Sequence, residues 1–321
     1  MRTLWKEIGT AFFMGCILPG ILLNLSALLL KGNARQIAQA ETTAATQMPD
    51  REIFLRVDGE STELEAYVTG VVLGEMPADF ELDALKAQAV AARTYAAKAM
   101  LNGKHGDGSL CGNSTCCQAY ISTEDYLDAG GTEENLKKVR GAVLSTAGQV
   151  LTYEGGLIEA TYFSCSGGST EDAAAVWGTD YPYLRAVPSP GEEEAAHYAD
   201  SVTFDSATFQ EKLGRELAGN PESWFGEETR TAGGGVATLS IGGESYSGTA
   251  LRKLLNLPST AFTVTVSGNT ITVQTRGYGH RVGMSQYGAD AMAVVDSTYE
   301  EILQHYYPGT HLENLSDMNL F

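Results

Sequence analysis

Four side chains that can bind a metal ion lie within thirteen residues of one another. His105, Cys111, Cys116 and Cys117 occupy a stretch rich in glycine, serine and asparagine. Imidazole and thiolate groups are ligands that zinc prefers, although this spacing matches no zinc-finger pattern. The cysteines could instead form a disulfide, either Cys111–Cys117 or a bond to Cys165, or they could remain buried free thiols. Spacing alone leaves these three hypotheses open.

A carboxyl group that could donate a proton stands in the turn Gly74-Glu75-Met76-Pro77. Leu73 and Met76 give this group a partly apolar setting, and loss of water raises the pKa of a carboxyl group. A carboxyl group that is still protonated near neutral pH can serve as a general acid. An ordinary surface glutamate at a turn has the same local sequence, so spacing alone does not separate the two interpretations.

Two segments combine glycine with tyrosine, and they read YFSCSGG at 162–168 and RGYGHRVGMSQYGA at 276–289. Glycine lets a backbone approach a ligand closely, and tyrosine rings offer flat faces that suit sugars. Close packing alone would also explain the glycines. The chain contains no GxSxG motif, so these segments do not indicate a serine hydrolase of that type.

The elements that must position these residues mix helices and strands without a regular strand–helix–strand order. The clearest helix is predicted at 81–101, where apolar residues recur at helical spacing and Lys86 and Arg93 share one face, two turns apart. Further helices are predicted at 136–144, 248–255 and 285–295. Strands are predicted at 237–241, at 150–153 paired with 159–163, and in a hairpin of 262–266 with 270–275. This order predicts an α+β fold.

The net charge of the chain argues against nucleic-acid binding. It contains 40 acidic and 21 basic residues, a formal net charge of −19, and such a surface repels phosphate backbones. Neither a P-loop nor a GxGxxG motif is present, so the sequence offers no nucleotide-binding loop. We therefore expect a protein that does not bind nucleic acid.

The N-terminal segment predicts a membrane anchor. Residues 11–30 carry no charge, and a helix of that length spans about 30 Å, the thickness of a bilayer core. We predict an anchor at 1–31, a flexible linker at 32–50 and a folded domain at 51–321. The sequence Ala38-Gln39-Ala40 has the form of a cleavage site, which keeps a cleaved signal peptide as the alternative. Both interpretations place the domain outside the cytoplasm.

Three blocks of sequence resemble the signature blocks of a known family. They are YVTGVVLGEMPADFELDALKAQAVAARTYA at 67–96, YFSCSGGSTEDAAAVWG at 162–178 and GYGHRVGMSQYGADAMA at 277–293. In content and order they resemble the stage II sporulation protein D family. That family comprises membrane-anchored lytic transglycosylases, which cut the glycan strands of peptidoglycan during engulfment in endospore-forming bacteria. A related branch modifies cell-wall amidases, so the resemblance also allows a non-catalytic, glycan-binding modifier of an amidase.

The resemblance implies a role for each candidate side chain. Glu75 matches the general acid of the family. Lys86 and Arg93 match basic positions that bind substrate or set the charge of Glu75. The implied sugar contacts, with less support from the motifs, are Tyr162, Tyr278 and Tyr287.

The resemblance further implies a zinc ion bound by His105, Cys111 and Cys117. Cys116, Cys165 or a water molecule would supply the fourth ligand.

Substrate, partners and location are also implied by the resemblance. The substrate would be glycan strands whose stem peptides an amidase has removed, and the partners would be stage II sporulation proteins P and M. The protein would lie in the cell membrane with its domain outside. A zinc amidase that uses His280, His305 or His311 is a further alternative, which the absence of an HExxH motif disfavours.

Overall fold

The computed structural model describes residues 52–318 and residue 320. The predicted anchor at 1–31 and the predicted linker at 32–50 lie outside these residues. Within the described part of the chain, no helix is both long enough and apolar enough to cross a membrane. Helices and strands are mixed along the described chain, in agreement with the predicted α+β class.

The helices of the described residues range from five to 20 residues in length. In chain order they are α1 (Leu64–Glu75), α2 (Leu82–Leu101), α3 (Thr123–Asp128), α4 (Glu133–Ser145), α5 (Ala173–Trp177), α6 (Ser206–Leu213), α7 (Gly248–Leu255), α8 (Gln286–Val294) and α9 (Tyr299–Tyr306). Many begin at a hydroxyl side chain that accepts an N–H of the first turn, as at Ser122, Thr132, Ser247, Ser285 and Thr298. The helices predicted at 81–101, 136–144, 248–255 and 285–295 are confirmed as α2, α4, α7 and α8.

The strands are short and form several small sheets. In chain order they are β1 (Phe54–Val57), β2 (Glu60–Glu63), β3 (Gln149–Tyr153), β4 (Gly156–Leu157), β5 (Tyr162–Phe163), β6 (Gly168–Ser169), β7 (Pro188–Ser189), β8 (Ala199–Asp205), β9 (Phe225–Arg230), β10 (Val236–Ile241), β11 (Glu244–Ser247), β12 (Ala261–Ser267), β13 (Thr270–Arg276), β14 (Met284–Ser285) and β15 (His311–Asn314). The three-stranded sheets have the orders β11-β10-β9, β12-β13-β8 and β15-β3-β4.

Two hydrophobic cores divide the described residues into two lobes. The first lobe, 52–198 with 277–318, surrounds α2, whose alanine-rich surface is buried along most of its length. Small alanine side chains let α1, α4, α8 and α9 pack closely around α2. The second lobe, 199–276, buries the aromatic rings of Phe204, Phe209 and Trp224 between its two sheets and two helices. The region expected as one domain therefore contains two cores.

A buried ion pair holds the centre of the first lobe together. Arg93 on α2 is 0% exposed, and its Nε donates to Glu65 Oε1 of α1 at 2.9 Å. The guanidinium also donates to the carbonyl oxygens of Gln149 and Val143, at 3.1 and 3.2 Å. Glu65 in turn accepts from the Gly148 N–H at 3.0 Å. A guanidinium without exposed surface cannot reach a glycan, so the substrate contact predicted for Arg93 is corrected to a structural role.

One predicted strand pairing is wrong. The strand β3 pairs with β4, and a two-residue turn of Glu154 and Gly155 joins them, both with positive φ. The strand predicted at 159–163 is reduced to β5, which pairs in parallel with β14 from the other end of the chain. The tight turn closes the hairpin early, so the following residues are free to reach β14. The hairpin predicted for 262–266 and 270–275 is confirmed as β12 and β13.

We predict that Arg93→Met lowers the free energy of unfolding by about 3–5 kcal/mol, because it leaves the Glu65 carboxylate buried without its partner. Chemical denaturation of the variant and the wild type measures this loss. The matched control is Arg185→Gln, which breaks the exposed ion pair with Asp180 and should cost less than about 1 kcal/mol. Equal losses in the two variants would contradict a central role for the buried pair.

Candidate active site

The C-terminal end of α1 carries Glu75 into a cavity. Gly70 and Gly74 lie one helical turn apart, on the face of α1 that meets residues 119–121. A Cβ atom at Gly70 would stand 2.4 Å from the Tyr120 ring, and one at Gly74 would stand 3.2 Å from the Ala119 backbone. The two glycines therefore let the 119–121 segment lie directly against the helix. The helix ends at Glu75.

The Glu75 carboxyl group is half-buried in a cavity of about 410 Å³. Its Oε1 accepts a hydrogen bond of 2.6 Å from the Ala119 N–H. Burial raises the pKa of Glu75 above its usual value, and the hydrogen bond from the Ala119 N–H partly opposes that rise. The Gln286 amide lies close enough to favour the ionised carboxylate as well, although it does not reach hydrogen-bond geometry. Among the described residues that line the cavity, Glu75 is the only acidic one. The cavity thus offers one carboxyl group that keeps its proton to a higher pH than an exposed glutamate.

Two glutamines that the motif analysis missed flank Glu75. Gln118 is buried, and its Nε2 donates to the Tyr67 hydroxyl at 3.1 Å while its Oε1 accepts from the Tyr162 hydroxyl at 2.7 Å. Gln286 is 5% exposed, and its Nε2 has no hydrogen-bond partner among the described residues. A buried amide without a partner costs about 1–3 kcal/mol, so a ligand that accepts from Gln286 would recover that free energy.

The two glycine- and tyrosine-containing segments meet and form a wall of the same cavity. The strands β5 and β14 pair in parallel, and Cys165 forms an antiparallel bridge with Tyr278. Gly277 has a φ of +77°, and a Cβ atom there would stand 2.6 Å from the Ser166 carbonyl oxygen. This close backbone contact requires glycine. It leaves the Tyr278 ring at the cavity with 46% of its surface exposed, as a sugar contact needs.

A buried carboxylate fixes the chain that follows β5. Glu192 is 2% exposed and accepts from the Ser166 N–H at 2.7 Å and the Gly167 N–H at 3.0 Å. The Cys165 thiol donates to the same carboxylate at 3.2 Å. Burial, with the neighbouring Glu192 charge, raises the pKa of Cys165 to about 12. Cys165 is therefore held as a thiol. It does not belong to the metal-ligand cluster, which consists of His105, Cys111, Cys116 and Cys117.

His280 lines the Glu75 cavity as a neutral imidazole. Burial, together with the nearby positive charge of Arg252, lowers the pKa of His280 to about 4. Its Nδ1 accepts from the Val282 N–H at 3.1 Å, and its ring lies 5.6 Å from the Phe163 ring and 5.2 Å from the Trp177 ring. A histidine held in this way carries no charge at neutral pH, so it does not supply a second acid to the cavity.

His105, Cys111, Cys116 and Cys117 place their donor atoms within 4.8 Å of one another. The His105 Nε2 lies 3.3 Å from the Cys117 Sγ and 3.7 Å from the Cys116 Sγ. Ligands of tetrahedral zinc stand about 3.3–3.8 Å apart, given the usual bond lengths, and both His105 distances fall in that range. The chemistry and the clustering of the four donors therefore suit a four-ligand zinc site, with the widest pairs closing slightly around the ion. No other group of three or more His, Cys, Asp or Glu side chains suited to a metal occurs in the described residues. That finding gives no support to a metal site at His280, His305 or His311.

The cysteines of the described residues are all free thiols. The disulfide considered between Cys111 and Cys117, or between either of them and Cys165, is therefore absent from this part of the chain. Of the two cysteines considered, besides water, for a fourth metal ligand, Cys116 lies in the cluster and Cys165 does not.

The metal-ligand cluster and the contact to Glu75 lie on one short loop. Cys117 lines the Glu75 cavity, and two residues later the Ala119 N–H binds the Glu75 carboxyl group. Lys104 Nζ donates to the Cys116 carbonyl oxygen at 2.6 Å and so supports the loop beside the cluster. Anything that orders the cluster therefore also orders the hydrogen bond to Glu75.

The structure brings together only some of the residues proposed from sequence. Glu75, Tyr162 and Tyr278 line one cavity. Lys86 lies outside that cavity, where it pairs with Asp83 at 3.3 Å. Tyr287 also lies outside it, and its ring packs edge-on against Phe80 with centroids 5.0 Å apart.

Comparison with known proteins shows which proteins this chain is similar to. The family model described as Stage II sporulation protein matches residues 58–153. Two proteins named Stage II sporulation protein D are similar over 259 residues, which cover 79% of this chain and 75% of each relative. Identity is 44% for the protein of Bacillus subtilis (strain 168) and 42% for that of Bacillus amyloliquefaciens. A protein of Bacillus subtilis named Amidase enhancer is 31% identical over 76% of this chain and 40% of its own length.

We predict that Glu75→Gln becomes more stable relative to the wild type as the pH rises. Burial raises the pKa of Glu75 in the folded state, so the folded protein loses stability as the pH rises through that pKa and the carboxylate ionises. The neutral amide avoids this loss. Melting temperatures of both proteins at about pH 4 and about pH 8 measure the difference. The control is Glu193→Gln, at an exposed carboxyl group, and an equal pH trend in both variants would contradict the prediction.

Proposed function

The chain belongs to the stage II sporulation protein D family, and on that premise we propose that it is a lytic transglycosylase of peptidoglycan. The reaction would cleave the bond from N-acetylmuramic acid to N-acetylglucosamine. The observation that carries the proposal is the Glu75 cavity, which contains one half-buried carboxyl group and, among its described lining residues, no second acid. Glycosidases that use water employ two carboxyl groups, whereas an intramolecular transfer needs only one.

Glu75 acts first as an acid. In its protonated form it donates to the oxygen that links the two sugars, and the bond from that oxygen to the muramic C1 breaks. N-acetylglucosamine leaves with a new hydroxyl group, and positive charge develops at C1. The raised pKa of Glu75 supports this step, because the carboxyl group must still hold its proton when the substrate arrives.

Glu75 then acts as a base. Its carboxylate takes the proton from the muramic C6 hydroxyl group, and the C6 oxygen forms a bond to C1. The product is a 1,6-anhydro sugar, no water is consumed, and Glu75 regains the proton that it gave. The Ala119 N–H stabilises the carboxylate that exists between the two steps.

The remaining lining residues hold the sugars. Gln286 Nε2, which has no partner among the described residues, donates to a substrate oxygen beside Glu75. Tyr278 offers an exposed ring for a sugar face. Gln118 binds both Tyr67 and Tyr162 and fixes the Tyr162 ring at the cavity, so it is a positioning residue.

The metal-ligand cluster is proposed to hold one zinc ion through His105, Cys111, Cys116 and Cys117. Four protein ligands leave no open position, which is the arrangement of a structural zinc site. When bound, the ion would cross-link the loop that ends at Ala119. The chain's own residues perform the proton transfers, and the cluster keeps the Ala119 N–H in place.

Location and partners follow from the same family proposal. Residues 11–30 would anchor the chain in the cell membrane, with the described lobes outside. Stage II sporulation proteins P and M are the proposed partners, and glycan strands freed of their stem peptides are the proposed substrate. A non-catalytic modifier of an amidase remains the second candidate, favoured by the similarity to the protein named Amidase enhancer.

The product of a glycan digest separates the two candidates. We predict that every new muramyl end formed from purified peptide-free glycan is a 1,6-anhydro end, because the C6 oxygen replaces water as acceptor. Mass spectrometry after borohydride treatment identifies such ends, since they resist reduction. Reducible ends would show that water is the acceptor, and a glycan that is bound but left intact would favour the amidase modifier.

Glu75→Gln should lower the rate of cleavage at least about 100-fold, because the amide keeps the shape of the side chain but has no proton to give. Release of anhydro-muramyl fragments measures the rate. Tyr287→Phe is the matched control, since that residue lies outside the cavity and its rate should stay close to the wild type. A Glu75→Gln rate within about tenfold of the wild type would rule out Glu75 as the sole general acid.

The zinc proposal predicts about one zinc ion per chain, measured by elemental analysis of protein prepared without chelator. Cys116→Ser should lose the ion and melt at a lower temperature, because one of the four ligands is missing from the closed site. Cys165→Ser is the control, because Cys165 lies outside the cluster and its metal content should not change. Full zinc content in Cys116→Ser would contradict a four-ligand site.

A further inference from the structure

A second cavity, of about 920 Å³, lies between the two lobes and apart from the Glu75 cavity. The second lobe contributes the sheet β12-β13-β8, and the first lobe contributes the backbone of Gly167 and Gly168. None of the residues that were given a role in the proposed reaction lines this cavity. Its chemistry is set by the side chains that the sheet presents to it.

The sheet presents two rows of side chains on the face away from the lobe's core. Strand register places Gln274 between Ser201 and Thr263, and all three line the cavity. Side chains alternate between the two faces of a strand, so these residues lie opposite the buried Ile271 and Val273. Hydroxyl and amide groups both donate and accept hydrogen bonds, as the hydroxyl groups of a sugar require.

Arg276 stands in the next row, between Ala199 and Ala261. The two small neighbours leave space around its exposed guanidinium. Its backbone is fixed, because the Ser259 hydroxyl donates to its carbonyl oxygen and Gly167 packs against it. Of the residues that the structure describes, none forms an ion pair with Arg276. An unpaired cation on a fixed backbone, with open space on both sides, suits an anionic ligand.

One acidic residue also lines this cavity. Asp200 is paired with Thr275, one register step away from the Arg276 row. The Asp200 Oδ1 accepts from the Ser201 N–H at 2.7 Å, and no ion pair joins this carboxylate to Arg276 in the described part of the chain. The guanidinium of Arg276 keeps its charge available for a ligand.

The charge of the second lobe differs from that of the whole chain. Residues 199–276 contain eight acidic and six basic side chains, whereas the full chain carries a net charge of −19. Most of the negative charge therefore lies outside this lobe, so a polyanion meets less repulsion here than elsewhere on the protein.

The two cavities adjoin along one segment of chain. Arg276 lines the second cavity and Tyr278 lines the Glu75 cavity, and two residues of chain span at most about 7 Å. The two cavities are therefore close enough for one extended polymer to contact both.

We propose that the second cavity binds the same glycan strand a few sugars away from the bond that is cut, with Arg276 paired to the lactyl carboxylate of a muramic acid. This inference rests on the proposed function. A stem peptide converts that carboxylate into an amide, which has no charge to pair with a guanidinium. Arg276 is thus a specificity residue that distinguishes peptide-free muramic acid from the substituted form.

Binding of defined octasaccharides tests the inference. The full chain carrying Glu75→Gln, which does not cut the ligand, is titrated with a peptide-free glycan octasaccharide and with the same octasaccharide after its lactyl carboxylates are converted to methylamides. We expect the carboxylate form to bind about tenfold more tightly, the contribution of one charge-assisted pair. Adding Arg276→Gln should remove this preference, and Arg276→Lys should keep part of it.

Lys253→Gln is the matched control, because it removes an exposed positive charge of the same lobe that does not line the cavity. It should keep the full preference for the carboxylate form. An undiminished preference in Arg276→Gln would overturn the inference, as would equal binding of both octasaccharides by the protein that retains Arg276.

Cleavage of glycan by the wild type is measured in an experiment separate from the binding titration. Anhydro ends together with no effect of Arg276→Gln would leave the proposed reaction standing and overturn the second binding site. An Arg276-dependent preference without anhydro ends would support the binding site and contradict the reaction.

Discussion

The hydrogen bonds and the ion pair of the buried Arg281 guanidinium hold the walls of both cavities in place. Arg281 is 2% exposed, and it donates to the carbonyl oxygens of Ser166, Ser169 and Gly233 at 2.8, 2.7 and 2.8 Å. It also pairs with the buried carboxylate of Glu171 at 3.0 Å. These contacts join the segment after β5, the segment before β14 and a loop of the second lobe. A buried charge of this kind is stable only when its partners are all present, so the three segments can adopt only this arrangement together.

Close contact between two backbone segments holds the same wall together, in addition to the contacts of Arg281. Gly167 and Gly277 have positive φ and lie against each other's segments at distances that leave no space for a Cβ atom. Glu192 then fixes the N–H groups of Ser166 and Gly167. The result is a rigid wall with Tyr278 on the side of the Glu75 cavity and Arg276 on the side of the second cavity.

The other wall of the Glu75 cavity depends on a loop without regular secondary structure. Gly70 and Gly74 let the 119–121 segment approach α1, and the Ala119 N–H then reaches Glu75. The metal-ligand cluster lies immediately before this segment, so the position of the acid is coupled to the order of the cluster. Burial and one backbone N–H set the pKa of the Glu75 carboxyl group, and neither is a property of glutamate itself.

Local sequence determined the helices, because apolar periodicity and capping residues act over a few neighbours, as at Ser285 before α8. The hairpin of β12 and β13 was predictable for the same reason. The motif blocks selected Glu75 as a candidate, and the structure places that residue in a cavity. Contacts between distant residues were decided only by the tertiary structure. The parallel pairing of β5 with β14, the burial of Arg93 against Glu65 and the placement of Gln118 and Gln286 beside Glu75 are all of this kind. No local sequence pattern predicts these contacts, because each depends on which surfaces meet when the whole core packs.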